Sequence, residues 1–208
     1  LEYAVSTNSD LYIYDIQART TRNLTEGMGG YDTMPSFSPD GSQLAWLSME
    51  HDGYEADKNR LMVMDMASGE KTDLTTDWDY TIEEFAWTPS GKKLFFIAYY
   101  HGGAPVFSID AETKEVKVVD NGDYDYTSLE VADEDNVLTM RHSMLRPNEI
   151  YAVTAGGEAT ALTDVNGDIF GQLTMPTVVR RMVPTTDGKE MLTWVVYPPN
   201  FDKDNKYP

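Results

Sequence analysis

Short apolar runs recur along the chain and recur in phase. Leu11-Tyr12-Ile13-Tyr14-Asp15, Leu61-Met62-Val63-Met64-Asp65, Val106-Phe107-Ser108-Ile109-Asp110 and Ile150-Tyr151-Ala152-Val153-Thr154 each precede a polar connection and a weaker run ending near Leu24, Leu74, Val119 and Leu162. A second element keeps the same spacing. Pro35-Ser36-Phe37-Ser38-Pro39-Asp40-Gly41 leads to Gln43-Leu44-Ala45-Trp46, and Phe85-Ala86-Trp87-Thr88-Pro89-Ser90-Gly91 leads to Lys93-Leu94-Phe95-Phe96. A third copy, Leu129 to Asp135 leading to Val137-Leu138-Thr139-Met140, has lost its Pro and Gly but keeps its apolar positions. Two independent elements at one period of roughly 40 to 50 residues mark an internal repeat.

Each repeat reads as four short strands. Phe37 ends a strand, and Pro39 and Gly41 supply the fixed and positive φ of a tight turn. Leu44 to Leu47 is the next strand. Leu61 to Asp65 is mostly apolar, as a strand buried on both faces must be. Ala67-Ser68-Gly69-Glu70 turns the chain back into a fourth strand over Lys71 to Leu74; Glu112-Thr113-Lys114 and Ala155-Gly156-Gly157 take the same place later. No long segment shows a helical period. The predicted fold is all-β, a partial β-propeller of four-stranded antiparallel blades stacked face to face, since one blade cannot bury both its faces. The propeller is expected over 1–168, with a first blade represented by its outer half (Leu11 to Leu24), two complete blades, and a last blade from about Leu129 to Leu162. Residues 169–208 are expected to form an exit segment, irregular from Ile169 through Pro176 to Arg181, and then a strand. An open arc leaves apolar faces uncovered, so self-association is expected. Trp46 and Trp87 are assigned to corresponding blade positions and to packing between blades.

Composition narrows the functional classes. The 208 residues carry 35 acidic and 16 basic side chains, a formal charge of -19. Such a surface repels phosphate backbones, so nucleic acid is not an expected partner. The acids are dense from Asp120 to Asp135, read here as a solvated loop. No apolar run approaches the ~18 residues of a membrane span. Cysteine is absent, which rules out disulfides and thiolate metal sites and leaves the compartment open. The chain opens on Leu1 with no signal-peptide pattern, and it reads as a mature or engineered fragment. Asn23-Leu24-Thr25 matches a glycosylation acceptor, a pattern too short to weigh much.

The Phe-Ser-Pro-Asp-Gly-x-x-Leu-Ala-Trp pattern of residues 37–46 resembles the propeller repeats of the TolB and prolyl oligopeptidase families. The C-terminal run separates them. Thr186-Asp187-Gly188-Lys189-Glu190 leads to Leu192-Thr193-Trp194-Val195-Val196-Tyr197-Pro198-Pro199, and then to Phe201 and Lys206-Tyr207-Pro208. This looks like the passage from propeller to α/β-hydrolase domain in the prolyl oligopeptidase (S9) family, nearest its dipeptidyl-peptidase and acylaminoacyl-peptidase types. The resemblance implies that the parent protein is a serine peptidase acting on short peptides, whose propeller caps and gates an active site in a hydrolase domain outside this chain. It also implies a periplasmic or secreted location somewhat more than a cytoplasmic one. The alternative is a non-enzymatic TolB-like propeller that binds a protein partner.

No catalytic residue is assigned within the chain. It has no Gly-x-Ser-x-Gly elbow; Ser68 and Ser90 precede glycines in blade turns but do not follow one, and His51, His101 and His142 fall in or near inter-strand connections. In some dipeptidyl peptidases a propeller glutamate pair holds the substrate's amino terminus, and Asp77-Trp78-Asp79-Tyr80 with Glu83-Glu84 invites the comparison. Glu83-Glu84 stands three residues ahead of Trp87 and reads instead as the start of a blade strand, so the substrate-binding residues stay unassigned. Asp164-Val165-Asn166-Gly167-Asp168 is similar to a calcium loop but lacks the terminal Glu, and reads as a polar turn. No cofactor and no metal are expected.

Overall fold

The computed structural model describes residues 6–207; Pro208, which ends the Lys-Tyr-Pro run, lies outside them. The first blade supplies β1 (Tyr12–Asp15) and β2 (Thr20–Asn23). The second holds β3 (Asp32–Phe37), β4 (Gln43–Ser48), β5 (Arg60–Asp65) and β6 (Lys71–Asp73). The third holds β7 (Ile82–Trp87), β8 (Lys93–Ala98), β9 (Val106–Asp110) and β10 (Val116–Asp120). The fourth holds β11 (Asp125–Val131), β12 (Asn136–Ser143), β13 (Arg146–Thr154) and β14 (Ala159–Ala161). One turn of helix, α1 (Gly167–Phe170), and a hairpin of β15 (Thr177–Pro184) and β16 (Glu190–Tyr197) follow. Each four-stranded sheet is antiparallel in sequential order, and no sheet closes into a barrel: the fold is a partial β-propeller.

The recurrent aspartate has a local cause. Asp65 Oδ1 accepts the backbone N–H groups of Ala67 and Ser68, and Asp110 Oδ1 accepts those of Glu112 and Thr113. Asp15 does the same for Gln17 and Ala18. Each carboxylate thus starts the turn between third and fourth strands. These bonds hold the Asp65 and Asp110 carboxyls below the usual carboxylate range. In the last blade the Thr154 hydroxyl replaces the carboxylate, accepting Glu158 N–H at 3.2 Å.

Strand alternation then builds the core. Leu44, Trp46, Met62 and Met64 pack with Leu11 and Leu24 of the first blade. Their neighbours Ala45, Leu47, Leu61 and Val63 point the other way, onto Leu94, Phe96, Phe107 and Ile109 of the third blade. Phe95, Ile97 and Val106 in turn meet Tyr126, Leu129, Val137 and Val153 of the fourth. In that last blade Leu138, Met140, Ile150 and Ala152 occupy the ladder positions of Ala45, Leu47, Leu61 and Val63. There Leu138 and Ile150 remain 39% and 44% exposed, because no further sheet among the described residues covers them.

Several details differ from the sequence reading. Trp46 and Trp87 do pack between blades but hold different positions: Trp46 lies on β4, equivalent to Phe96, whereas Trp87 ends β7, equivalent to Phe37. Aligning by the Pro-x-Gly turn, rather than by tryptophan, gives the correct register. The fourth blade begins at Asp125, not near Leu129, so half of the acidic stretch is strand, while Asp123, Asp133, Glu134 and Asp135 do lie in bends. Asp120 accepts the hydroxyls of both Tyr124 and Tyr126 instead of standing in solvent. The exit is less irregular than expected, since α1 and a full β15 occupy much of 169–181; their alternating residues lacked a turn signal at Pro176 strong enough to mark a strand.

Phe37 and Trp87 provide an internal comparison. Trp87 is 7% exposed and its Nε1–H donates to Ser36 O of the preceding blade at 3.1 Å. Phe37 is 49% exposed, because the described part of the first blade brings only β1 and β2. We expect Trp87→Ala to cost about 3–5 kcal/mol in urea unfolding, as loss of a buried large aromatic does, and Phe37→Ala less than about 1 kcal/mol. Equal losses, or an unchanged Trp87→Ala transition, would refute the assigned register.

Asp32 is the polar exception in the core. It is buried, its Oδ1 accepts Trp46 Nε1–H at 2.8 Å, and its Oδ2 has no partner. Burial raises its pKa above the ordinary 3.8, against the lowering pull of Ser48 and Trp46. A raised carboxyl pKa means the folded chain binds the proton more tightly. The contribution of Asp32 to stability is therefore complete below its unfolded pKa and is lost as pH rises through the folded one. Asp32→Asn keeps the acceptor for Trp46 and removes the charge. We predict a higher Tm than the parent chain at pH 7, with the difference vanishing near pH 3.5; a lower Tm at pH 7 would contradict this account.

Candidate functional site: a cleft at the inner blade edges

The first strands of successive blades run closest together, β3 beside β7 and β7 beside β11. They form the inner edge on which the blades converge. Each is bulged near its start: between Thr33 and Ser36, between Ile82 and Glu84, and between Thr127 and Leu129. Met34 and Ser128 at these bulges have φ of 53° and 59°. A bulge bends an edge strand and re-aims its side chains, and here it turns Glu83 and Ser128 out of the inter-blade core.

Between β7 and β11 lies a cleft of about 370 Å³, lined among others by Glu83, Glu84, Tyr99, Asp125, Ser128 and His142. Glu83 is exposed and Glu84 half-buried on β7. His142 Nε2 stands 3.6 Å from Asp125 Oδ2. Three carboxylates, a tyrosine and an imidazole make a surface that attracts cationic groups and offers hydrogen-bond acceptors. Beneath it Arg141 lies over the Tyr151 ring at 3.6 Å and the Tyr124 ring at 4.4 Å. Burial and the Asp120 carboxylate push the Tyr124 hydroxyl up to about 12 and raise that of Tyr126 as well. Both phenols stay protonated and donate to Asp120, which stiffens the cleft floor.

Glu83 and Glu84 thus begin a blade strand, as their spacing before Trp87 indicated, and the same placement puts both in the cleft wall. Asp77 to Tyr80 lie apart in the connection from β6 to β7, where Trp78 packs against Phe96 and Phe107 as a core residue. Ser68 and Ser90 sit in turns at one end of the blades, and Ser90 is held by the Glu134 carboxylate. His51, His101 and His142 lie at the opposite end, paired with Asp57, Tyr80 and Asp125 respectively. No hydrogen bond joins a serine to a histidine among the described residues. The Asp164–Asp168 turn leads into α1, with Asn166 and Thr163 bound to the Glu149 carboxylate. Among the described residues no three metal-ligating side chains converge. None of their helices is long and apolar enough to cross a membrane. Sequence reading missed Tyr99, Asp125 and Ser128, which line the same cleft as the glutamates. The available signal was positional: Tyr99 and His142 occupy the same place in successive blades, just beyond the ladder pairs at Ile97 and Met140.

Comparison with known proteins agrees with this architecture. The protein-family model described as the TolB β-propeller domain matches residues 6–169. Dipeptidyl-peptidase 5 of Porphyromonas gingivalis is 43% identical over the whole chain, as is that of Porphyromonas endodontalis; that of Schizosaccharomyces pombe is 27% identical. The chain spans about 30% of the length of each of these relatives. Among solved structures, acylaminoacyl peptidase of Pyrococcus horikoshii superposes with a TM-score of 0.76 at 22% identity, covering 96% of this chain and 29% of that one. The putative TolB of Agrobacterium tumefaciens gives 0.61 at 17% identity, covering 92% and 67%. These likenesses converge with the repeat on one assignment: the chain belongs to the TolB β-propeller family.

Proposed function

We propose that this chain is the substrate-admitting propeller section of an S9-type serine exopeptidase that cleaves short peptides, and that the chemistry resides in an α/β-hydrolase domain beyond residue 208. The observation that carries this reading is the 43% identity to dipeptidyl-peptidase 5 over the whole chain, the post-propeller hairpin included. The cleft supports it. It opens at the same blade end as the hairpin and presents carboxylates to an arriving peptide. In this reading residues 1–168 are propeller, 169–208 connect it to the hydrolase, and a periplasmic or secreted location goes with it. The test is labelling by a fluorophosphonate serine probe together with dipeptide release. The whole polypeptide should label and release dipeptides, and the 208-residue chain should do neither. A whole polypeptide inert to both would refute the proposal.

The second reading is a TolB-like propeller that binds a protein. It draws on the sheet face of Leu138, Met140, Ile150 and Ala152, where Leu138 and Ile150 are exposed and the other two half-buried, an apolar face of the kind that seeks a partner. Under either reading the isolated chain should self-associate through this face. Light scattering should give a mass that rises with concentration and falls to the monomer in the Leu138→Glu, Ile150→Glu double variant. A monomer at every concentration would contradict the prediction.

A further inference from the structure

The β15–β16 hairpin stands outside the blades. A two-stranded hairpin is at best marginally stable alone, so its order depends on what it docks against. Its register places Val178, Arg180 and Met182 on one face with Val196, Trp194 and Leu192. Part of this face rests on loops at the seam between the third and fourth blades. A Cβ on Gly102, which has φ +82°, would lie 2.9 Å from Leu192 Cδ2. Val178 and Trp194 share a small cavity of about 140 Å³ with Asp123, Tyr124 and Met144. Met182 and Val196, at either end of the same face, are exposed. The docked area is therefore narrow and lies around the Arg180–Trp194 pair.

Arg180 is the charged element of that contact. Its guanidinium lies over the Trp194 ring, 5.0 Å from the centroid, and its Nη2 meets Asp123 Oδ1 at 2.9 Å. Asp123 belongs to the connection between β10 and β11, so this bridge ties the hairpin directly to the seam between blades. The next residue, Arg181, points to the opposite face and lies 5.7 Å from the Tyr197 ring centroid. Two consecutive arginines thus divide the work. One reaches the propeller, and the other stays on the hairpin.

We infer that Asp123 and Arg180 form a latch that fixes the β15–β16 hairpin on the seam between the last two blades, and that the hairpin is otherwise a hinged unit. Both are positioning residues. The half-exposed bridge makes the latch sensitive to ionic strength. The consequence for peptide selection rests on the function proposed above; the latch itself does not. A locked hairpin fixes how the following domain sits over the cleft, whereas a released one widens the approach for longer peptides.

Limited digestion with thermolysin tests the latch in the 208-residue chain. Cleavage within 177–197 should quicken about fivefold in Asp123→Asn, the scale of one partly exposed bridge, while cleavage within the blades keeps its rate. The charge exchange Asp123→Arg with Arg180→Asp should return the hairpin to within about twofold of the parent chain. Salt at 1 M should quicken hairpin cleavage in the parent chain and not in Asp123→Asn, and Arg181→Gln should behave as the parent. Hairpin cleavage unchanged in Asp123→Asn, or blade cleavage rising equally, would overturn the inference. In the whole polypeptide Asp123→Asn should lower KM for longer peptides with kcat for dipeptidyl substrates unchanged. A faster-cleaved hairpin without that shift would uphold the latch and count against the gating function.

Discussion

A four-stranded sheet with two apolar faces cannot exist alone in water, and the rest of this molecule follows from that constraint. Alternation along β4, β5, β8 and β9 sends every second side chain to the preceding blade and the others to the next. Burying one large aliphatic or aromatic side chain is worth roughly 1.5–3 kcal/mol. Phe96, Phe107 and Trp87 meet at a single interface with Leu47 and Leu61. Blade stacking is therefore the main source of stability, and hydrogen bonds across blades, such as Ser90 to Glu134, refine its geometry. The constraint also marks the two ends of the described arc: Phe37 at one, and Leu138 with Ile150 at the other, hold interface positions that no sheet among the described residues covers.

The same stacking creates the candidate site. Blades converge along their first strands, and a bulge in each of these strands turns residues away from the core just where β7 and β11 come together. Glu83, Glu84 and Asp125 gather there without a helix or a long loop to carry them. The Asp120–Tyr124–Tyr126–Arg141 network beneath is joined by internal hydrogen bonds and ring stacking, so it braces the cleft. The described blades thus offer a shaped cleft walled by carboxylates, which is the feature that the substrate-admitting role proposed above draws on.

Much of the fold was legible because it repeats. The Asp that starts the outer turn in the first three blades and the Pro-x-Gly that starts the inner one in the second and third are local devices, and local physics is what a sequence displays best. The interior of the Leu61 and Val106 strands was equally clear from unbroken apolar runs. Trp46 and Trp87 were given equivalent positions because both follow similar apolar residues; Trp46 follows its Pro-x-Gly turn and pairs with Met62, whereas Trp87 precedes its own and pairs with Leu94, which makes one a second strand and the other a first. The start of the fourth blade at Asp125 was hidden by its acidic residues, whose role depends on tyrosines that fold back upon Asp120. The cleft was the least legible part. Its walls come from separate blades, and the bulges that aim Glu83 and Ser128 leave no composition signature.

Native-state hydrogen exchange, resolved by residue, tests the central claim most directly. If stacking between blades supplies the stability, amides of β4, β5, β8 and β9 should exchange slowest, with β13, β14, β1 and β2 markedly faster despite equivalent hydrogen-bond ladders. Uniform protection across all blades, or greatest protection in the last one, would show that each sheet stands by itself and would contradict the account.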